Sequence, residues 1–364
     1  MKNDIHEIIR KGILAPSADN LQPWLFKIGA DNLELWLDAK RSENFCDAGY
    51  LAPYISIGAV IENMRIAAAD RGYRMTCSYF PDKKNKTRVV TISFEKGEKE
   101  TSPLLPFIGK RRTNRKFYAS RPSVAPAAKA SLEETVCEEG FRLHWVAKDE
   151  SRYQDLCSMI GDADQLRFEN QRLHREFNNI LRFTKPAISG GDGLDIKTLE
   201  SGPTGPLLFK LMGQWSRQKF LNNLGISRVF NAYAKIQMQS SAAAGLITAP
   251  SHAPEDYVRG GELMERLWLE ATRQGLSLQP MEALPIFIIN RQLRNLSDFS
   301  EAQKATIERL TANFFSLFGI NNKDGLIFLF RIGHAKPTTT QALRRPIDSF
   351  LMNSADTGVK YVVS

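Results

Sequence analysis

The chain has 364 residues, 43% hydrophobic and 24% charged, which allows one large or two ordinary domains with a packed core and excludes wholesale disorder. Its formal net charge of +9 admits nucleic acid, a membrane surface or an anionic small molecule as partner, while no apolar run approaches the ~18 residues of a membrane span. Cys46, Cys77, Cys137 and Cys157 form no CxxC pair and have no histidine at ligand spacing, so neither a disulfide framework nor a metal site is expected, and a reducing cytoplasm fits.

Met1 to Gly12 mixes acids and bases without an apolar stretch, so no secretory leader is expected there. From Ile8 the pattern predicts a short helix stopped by Pro16, then a polar loop of small residues, then a strand from Trp24. Runs Trp24 to Ile28 and Leu33 to Leu37 flank Gly29-Ala30-Asp31-Asn32, the chemistry of a hairpin. Apolar residues at 57, 60, 61, 64 and 68 predict a helix capped by Gly72, and Thr87 to Phe94 reads as a strand. A helix opened by Pro126 and continued through Leu132 and Val136 precedes a strand over Phe141 to Val146. Further strands are predicted over Leu284 to Asn290 and Leu326 to Ile332, with a long helix from about Glu301 to Leu317. The mixture is that of an α+β chain.

Gly58-x-Val60-Ile61-Glu62-x-Met64 recurs, with its whole helix and glycine cap, as Gly261-x-Leu263-Met264-Glu265-x-Leu267, which suggests two related units. Between them, about Lys185 to Ser227, glycine-rich punctuation at 189–193 and 201–206 brackets an apolar piece, Leu207 to Leu221. This predicts an insertion that packs on something, either a crossover helix joining two halves or a lid.

HExxH, GxSxG, Walker and GxGxxG motifs are missing, and the five histidines stand isolated, so chemistry here would be carried by a cofactor with the protein supplying binding and orientation. Three features suit that role. Ala15-Pro16-Ser17-Ala18-Asp19-Asn20-Leu21-Gln22-Pro23-Trp24 combines small side chains that let backbone approach a flat ligand with Asn20 and Gln22 amides suited to ring heteroatoms. Arg111-Arg112-Thr113-Asn114-Arg115 and Arg344-Arg345 are compact arginine clusters, without the aromatic-basic alternation of a nucleic-acid surface, and read as candidates for a discrete phosphate. Trp24, Trp268 and Phe117 are expected to serve packing, and Arg112 and Asn114 a turn or cap.

The loop resembles the Ala-Pro-Ser-x-x-Asn-x-Gln-Pro-Trp-x-Phe motif of the nitroreductase family, complete from Ala15 to Phe26. Arg111-Arg112-Thr113-Asn114-Arg115-Lys116-Phe117 is similar to that family's Arg-Arg-Ser-x-Arg-x-Phe, Gly275-Leu276-x-x-Gln279-Pro280-Met281-Glu282-Ala283 to its Gly-Leu-x-x-x-Pro, and Lys336-Pro337 with Arg344-Arg345-Pro346 to its basic C-terminal segment. The family order is reversed here, because the loop precedes the arginine motif. With the repeated helix, this resembles the Acg-type branch, in which two nitroreductase-like units are fused in one chain. The resemblance implies an α+β internal pseudo-dimer of antiparallel-rich sheets flanked by helices, with halves at 1–105 and 106–364, the second holding the insertion at about 185–227.

The resemblance further implies one FMN. Its phosphate is expected at Arg111, Thr113 and one of Arg344 and Arg345, and its pyrimidine edge at Arg115. Pro16, Ser17, Ala18, Asn20 and Gln22 would line the ring and ribityl chain, and Gln279, Pro280, Met281, Glu282 and Ala283 would face N5. Chemistry would lie on the flavin, with no catalytic side chain and no metal: an FMN-dependent NAD(P)H oxidoreductase passing hydride to a small nitroaromatic, quinone or similar acceptor. The alternative is a flavin-sequestering or redox-sensing protein under a closed lid. Expected partners are NADH or NADPH and the acceptor, without nucleic acid or membrane, in a cytoplasmic monomer or homodimer.

Overall fold

Helix α1 (Lys2–Gly12) ends ahead of Pro16, and the chain passes through the loop into β1 (Trp24–Ile28) and β2 (Asn32–Leu37). These two pair antiparallel, with Trp24 opposite Leu37 and Gly29 donating its N–H to the Asn32 carbonyl at 2.8 Å. Alternation turns Leu33, Leu35 and Leu37 inward, and all three are buried. The computed structural model describes residues 2–42, 49–119, 122–293, 296–338 and 340–352. Cys46 lies outside them; Cys77, Cys137 and Cys157 are free thiols.

A single turn, α2 (Ala39–Ser42), precedes α3 (Leu51–Asp70), which starts ahead of the predicted stripe and is followed by Gly72 at φ 74°. β3 (Tyr73–Tyr79) and β4 (Arg88–Lys96) complete an antiparallel sheet in the order β1-β2-β4-β3. Beyond the arginine motif come α4 (Pro126–Glu134), β5 (Arg142–Ala147) and α5 (Arg152–Glu169). The segment that follows folds into short pieces: α6 (Gln171–Ile180), β6 (Leu181–Arg182), α7 (Lys185–Ser189), β7 (Leu194–Asp195), α8 (Gly205–Leu211) and α9 (Trp215–Asn223). Then α10 (Ile226–Gln239), β8 (Ala243–Ala249), α11 (Pro254–Arg273), β9 (Ser277–Pro280), α12 (Ala283–Leu293), α13 (Glu301–Phe318) and β10 (Gly325–Gly333) complete a second antiparallel sheet, β5-β8-β10-β9.

One predicted strand is a helix. Leu284 to Asn290 lies in α12, although Ile286-Phe287-Ile288-Ile289 is strand-like by propensity. Leu284, Phe287 and Ile288 are buried, and Pro285 in the first turn has the φ a helix start needs. A short run buried this fully has no periodicity by which to tell strand from helix.

The repeated helices meet each other. Gly58 of α3 and Gly261 of α11 lie so close that a Cβ on either would overlap the backbone carbonyl of Val258 or Ile55 in the opposite helix. A continuous core joins both sheets around this crossing, from Ile8 and Trp24 to Leu267 and Phe330. The insertion has a core of its own: Leu181, Leu194, Ile196, Phe209 and Met212 pack with Phe168 of α5, whose ring stacks on Phe230 of α10 at 3.8 Å.

Candidate functional site

The loop after α1 runs through three left-handed residues that are not glycine, Asp19 (φ 52°), Asn20 (φ 57°) and Gln22 (φ 54°). Each costs about 1 kcal/mol, so the conformation persists only where surroundings fix it. The Ser17 hydroxyl accepts from the Gln22 N–H at 3.0 Å. Asn20 Nδ2 donates to the carbonyls of Gly193 (3.1 Å) and Leu343 (3.1 Å), and Gln22 Nε2 to that of Gly191 (2.7 Å). The acceptor atoms of both amides are also used: Asn20 Oδ1 by Arg344 Nη1 at 2.9 Å, Gln22 Oε1 by the Arg345 N–H at 3.1 Å. Three segments far apart in sequence, 15–22, 191–193 and 343–345, are thereby tied in one knot. The amides that the sequence offered to ring heteroatoms are donated here to backbone carbonyls.

Arginines crowd the same place. Arg344 clamps the end of α1, donating Nε to Ile13 O (2.9 Å) and Nη2 to Leu14 O (3.0 Å) and Ala15 O (2.7 Å). Arg111 is buried, lies over the Trp268 ring at 4.5 Å, and donates Nε to Glu265 Oε1 at 3.1 Å and Nη2 to Leu14 O at 3.1 Å. Arg112 reaches Gln341 at 2.6 Å. Burial, reinforced by the positive charge of Arg111, pushes Arg344 down to about 9, with Glu265 opposing. Arg111 is ion-paired with the fully buried Glu265, and the neighbouring charges of Arg344 and Arg112 leave positive charge in surplus here.

A second cluster adjoins it. Arg115 donates its backbone N–H to Glu200 at 2.8 Å and Nη1 to the Thr198 carbonyl at 3.0 Å, both in the insertion. Burial raises the Asp19 carboxyl, opposed by the charges of Arg167 and Arg115. Thr113 is bridged to Leu278 of β9, and Asn114 donates to Ser277 and the Lys336 carbonyl. Next on β9, Gln279 accepts from Arg331 at 2.8 Å, Met281 N–H donates to Leu329 O at 2.8 Å, and Ala283 begins α12. Glu282 accepts the Leu329 N–H at 3.1 Å, and burial pushes its carboxyl up to about 8. Asp19, Arg115, Glu282 and Arg344 all keep partial accessible surface although desolvation leads the shift of each.

Of the remaining predicted residues, Pro16 is half-buried and Ala18 exposed on the loop, and Pro280 closes β9. Trp24 and Trp268 are buried packing residues, whereas Phe117 is 49% exposed and meets Tyr233 edge to face. Asn114 serves a turn as expected, its Oδ1 accepting the Lys116 N–H at 3.1 Å, and it is also a buried tie through Nδ2. Sequence reasoning missed Asp19, Glu200, Glu265 and Arg331 as partners. Glu265 was visible as a repeated carboxylate in an apolar stripe; Arg331, fully buried inside β10, had no local mark.

No family model matches the chain. It is 25% identical over 348 residues to "Uncharacterized protein MT1398" of Mycobacterium tuberculosis (strain CDC 1551 / Oshkosh), a match covering 93% of this chain and 47% of that protein. It is also 25% identical over 175 residues to "Putative NAD(P)H nitroreductase acg" of Mycobacterium tuberculosis (strain ATCC 25618 / H37Rv), covering 47% of this chain and 52% of that one. The chain thus spans about half the length of these curated relatives. Among solved structures, an FMN- and NADPH-dependent nitroreductase NfnB mutant from a Sphigopyxis strain is 14% identical, with a TM-score of 0.40 over 70% of this chain and 100% of that one.

Proposed function

We propose that this chain is an FMN-dependent NAD(P)H oxidoreductase of nitroreductase type, fused from two related halves at 1–105 and 106–364 and holding one flavin. The reading is carried by the surplus guanidinium charge at Arg111, Arg112 and Arg344 against the strained loop. The similarity to proteins named as NAD(P)H nitroreductases supports it. So does the division of the strands, since one sheet draws only on residues 24–96 and the other only on residues 142–333.

In this reading Arg111 and Arg344 neutralise the FMN phosphate, with the Thr113 hydroxyl as neutral donor. Arg115 places a positive charge at the pyrimidine edge. The backbone from Pro280 to Ala283 leads into the start of α12, whose dipole favours developing negative charge. Asn20, Gln22 and Ser17 fix the loop that borders the ring rather than binding it through their amides. Glu282, a carboxylic acid at neutral pH, keeps its proton beside this junction and adds no charge. FMN itself supplies the hydride chemistry, drawing on NADH or NADPH and delivering to a nitroaromatic, quinone or similar acceptor.

A second reading is a flavin holder with little turnover. It is favoured by the cover, because Gly191, Gly193, Thr198 and Glu200 already bond the loop and Arg115. The visible spectrum of the purified protein, before and after anaerobic NADPH or NADH, separates the two. Flavin bands that bleach with nicotinamide and recover with a quinone are expected. Bands that respond to dithionite alone select the flavin holder, and no bands after reconstitution with FMN overturn both readings.

A further inference from the structure

The outer side of α8, α9 and α10 carries a chemistry that neither the core nor the arginine cluster uses. Between Glu200 and Glu255 the chain has no acidic residue, while Lys210, Arg217, Lys219, Arg228 and Lys235 fall on α8, α9 and α10. All but Lys235 are exposed. The same helices expose Leu207 (73%), Leu224 (70%) and Phe220 (62%). Leu211 and Phe220 line one shallow groove together with Arg217. Along α10, Val229, Tyr233 and Ile236 stand at i, i+4 and i+7, a single exposed face. The opposite face of α10 is packed, and the acids that touch this helix, Asp162 and Glu169 of α5, bond Asn231 and Ser227.

Isolated exposed leucines need no explanation, but a patch in which exposed leucine and phenylalanine alternate with uncompensated cations does. Two like copies would set five cations against five. An anionic bilayer matches both components: lipid phosphates take the lysines and arginines, and the headgroup boundary takes the apolar side chains. Trp215, half-buried where α9 begins, has the amphipathic ring found at that depth. We propose that α8, α9 and α10 form a docking surface for an anionic lipid bilayer, with Leu207, Leu211, Phe220 and Leu224 set into the headgroup boundary.

Such contact lies on the membrane and needs no span; among the described residues, no helix is long and apolar enough to cross one. A patch assembled from three helices leaves no continuous apolar run in the sequence, so the expectation of no membrane partner is revised here to surface contact. The inference does not rest on the flavin. Where the flavin reading also holds, a quinone carried in the bilayer becomes the acceptor class to test first.

The test is flotation of the full chain with phosphatidylcholine vesicles, with and without phosphatidylglycerol, across a salt series. Binding to the anionic vesicles alone, weakening as salt rises, is the expected result. Lys219→Gln should lower the partition coefficient about five-fold, and Phe220→Ser on the order of ten-fold. Lys323→Gln, an exposed cation far along the chain from this patch, should leave it unchanged. Thermal melts check that each variant remains folded. Absence of binding to anionic vesicles at low salt overturns the proposal, as does equal binding to both vesicle types or indifference to both substitutions. Concentration-dependent dimers abolished by Phe220→Ser, without vesicle binding, would assign the patch to a second copy instead.

Discussion

Glu62 and Glu265 occupy the same position of the repeated helix, and both are buried. Around Glu62 the charges balance: it accepts from Arg266 at 2.8 and 2.9 Å and lies 3.5 Å from Arg65, which also pairs with Glu262. Around Glu265 they do not: Arg111 is its ion-pair partner, and Arg344 and Arg112 add positive charge beside that pair. The helix is common to both regions; the partners are not. One end of the repeat has closed into a structural ion-pair network, and the other has kept a positive surplus, the condition for holding an anion.

The sharpest way to break this comparison is to remove the arginine from each side. Arg111→Ala strands a fully buried carboxylate and should cost about 3–5 kcal/mol in a urea titration. Arg266→Ala leaves Glu62 beside Arg65 and should cost about 1–2 kcal/mol; equal losses would show the two regions to be alike. Ligand linkage comes next. FMN at a hundredfold excess over its Kd should stabilise the protein by about 2.7 kcal/mol. Arg344→Gln should remove most of that gain, and Arg266→Ala little of it, in thermal melts.

Glu282 supplies a pH-dependent contrast. Its folded pKa, about 8, lies above its ordinary 4.5, so between those values the folded chain keeps a proton that the unfolded chain releases, and stability falls as pH rises. Glu282→Gln should therefore be more stable than the parent at pH 9, by up to about 5 kcal/mol at ~1.4 kcal/mol per pH unit, with the difference vanishing near pH 4.5. The smallest effect is expected at Asp192 of the insertion, which pairs with Arg41 of the first half (3.0 Å) and with Arg182 (3.2 Å). Asp192→Asn should cost about 0.5–1 kcal/mol, visible as faster hydrogen exchange across 185–227 with the two sheets unaffected.

Elements that announce themselves locally were legible in the sequence. The Gly29–Asn32 turn, the glycine-capped α3 and the long helix α13 each follow from a few neighbouring residues. β8 did not announce itself: Ala243-Ala244-Gly245-Leu246-Ile247-Thr248-Ala249 is buried on both faces, so it lacks the alternation by which a strand is recognised. The arginine and loop motifs were conspicuous, but their partners were mostly backbone carbonyls, at Leu14, Gly191 and Leu343, which carry no side-chain signal. That Asn20 and Gln22 bond the insertion rather than face a ligand depends on contacts across more than 160 residues, beyond the reach of any local pattern.

The clamp of Arg344 on residues 13–15 also sets an order of assembly. The carbonyl of Ile13 is made first, and its guanidinium partner follows 331 residues later. At translation speeds of roughly 5–20 residues per second, the strained loop waits on the order of 15 to 65 s for the group that holds it. The first sheet can form meanwhile from neighbouring strands, whereas the clamped loop comes later. Nascent chains arrested before residue 344 are thus expected to hold a folded first sheet and, on the proposed flavin reading, to retain no FMN.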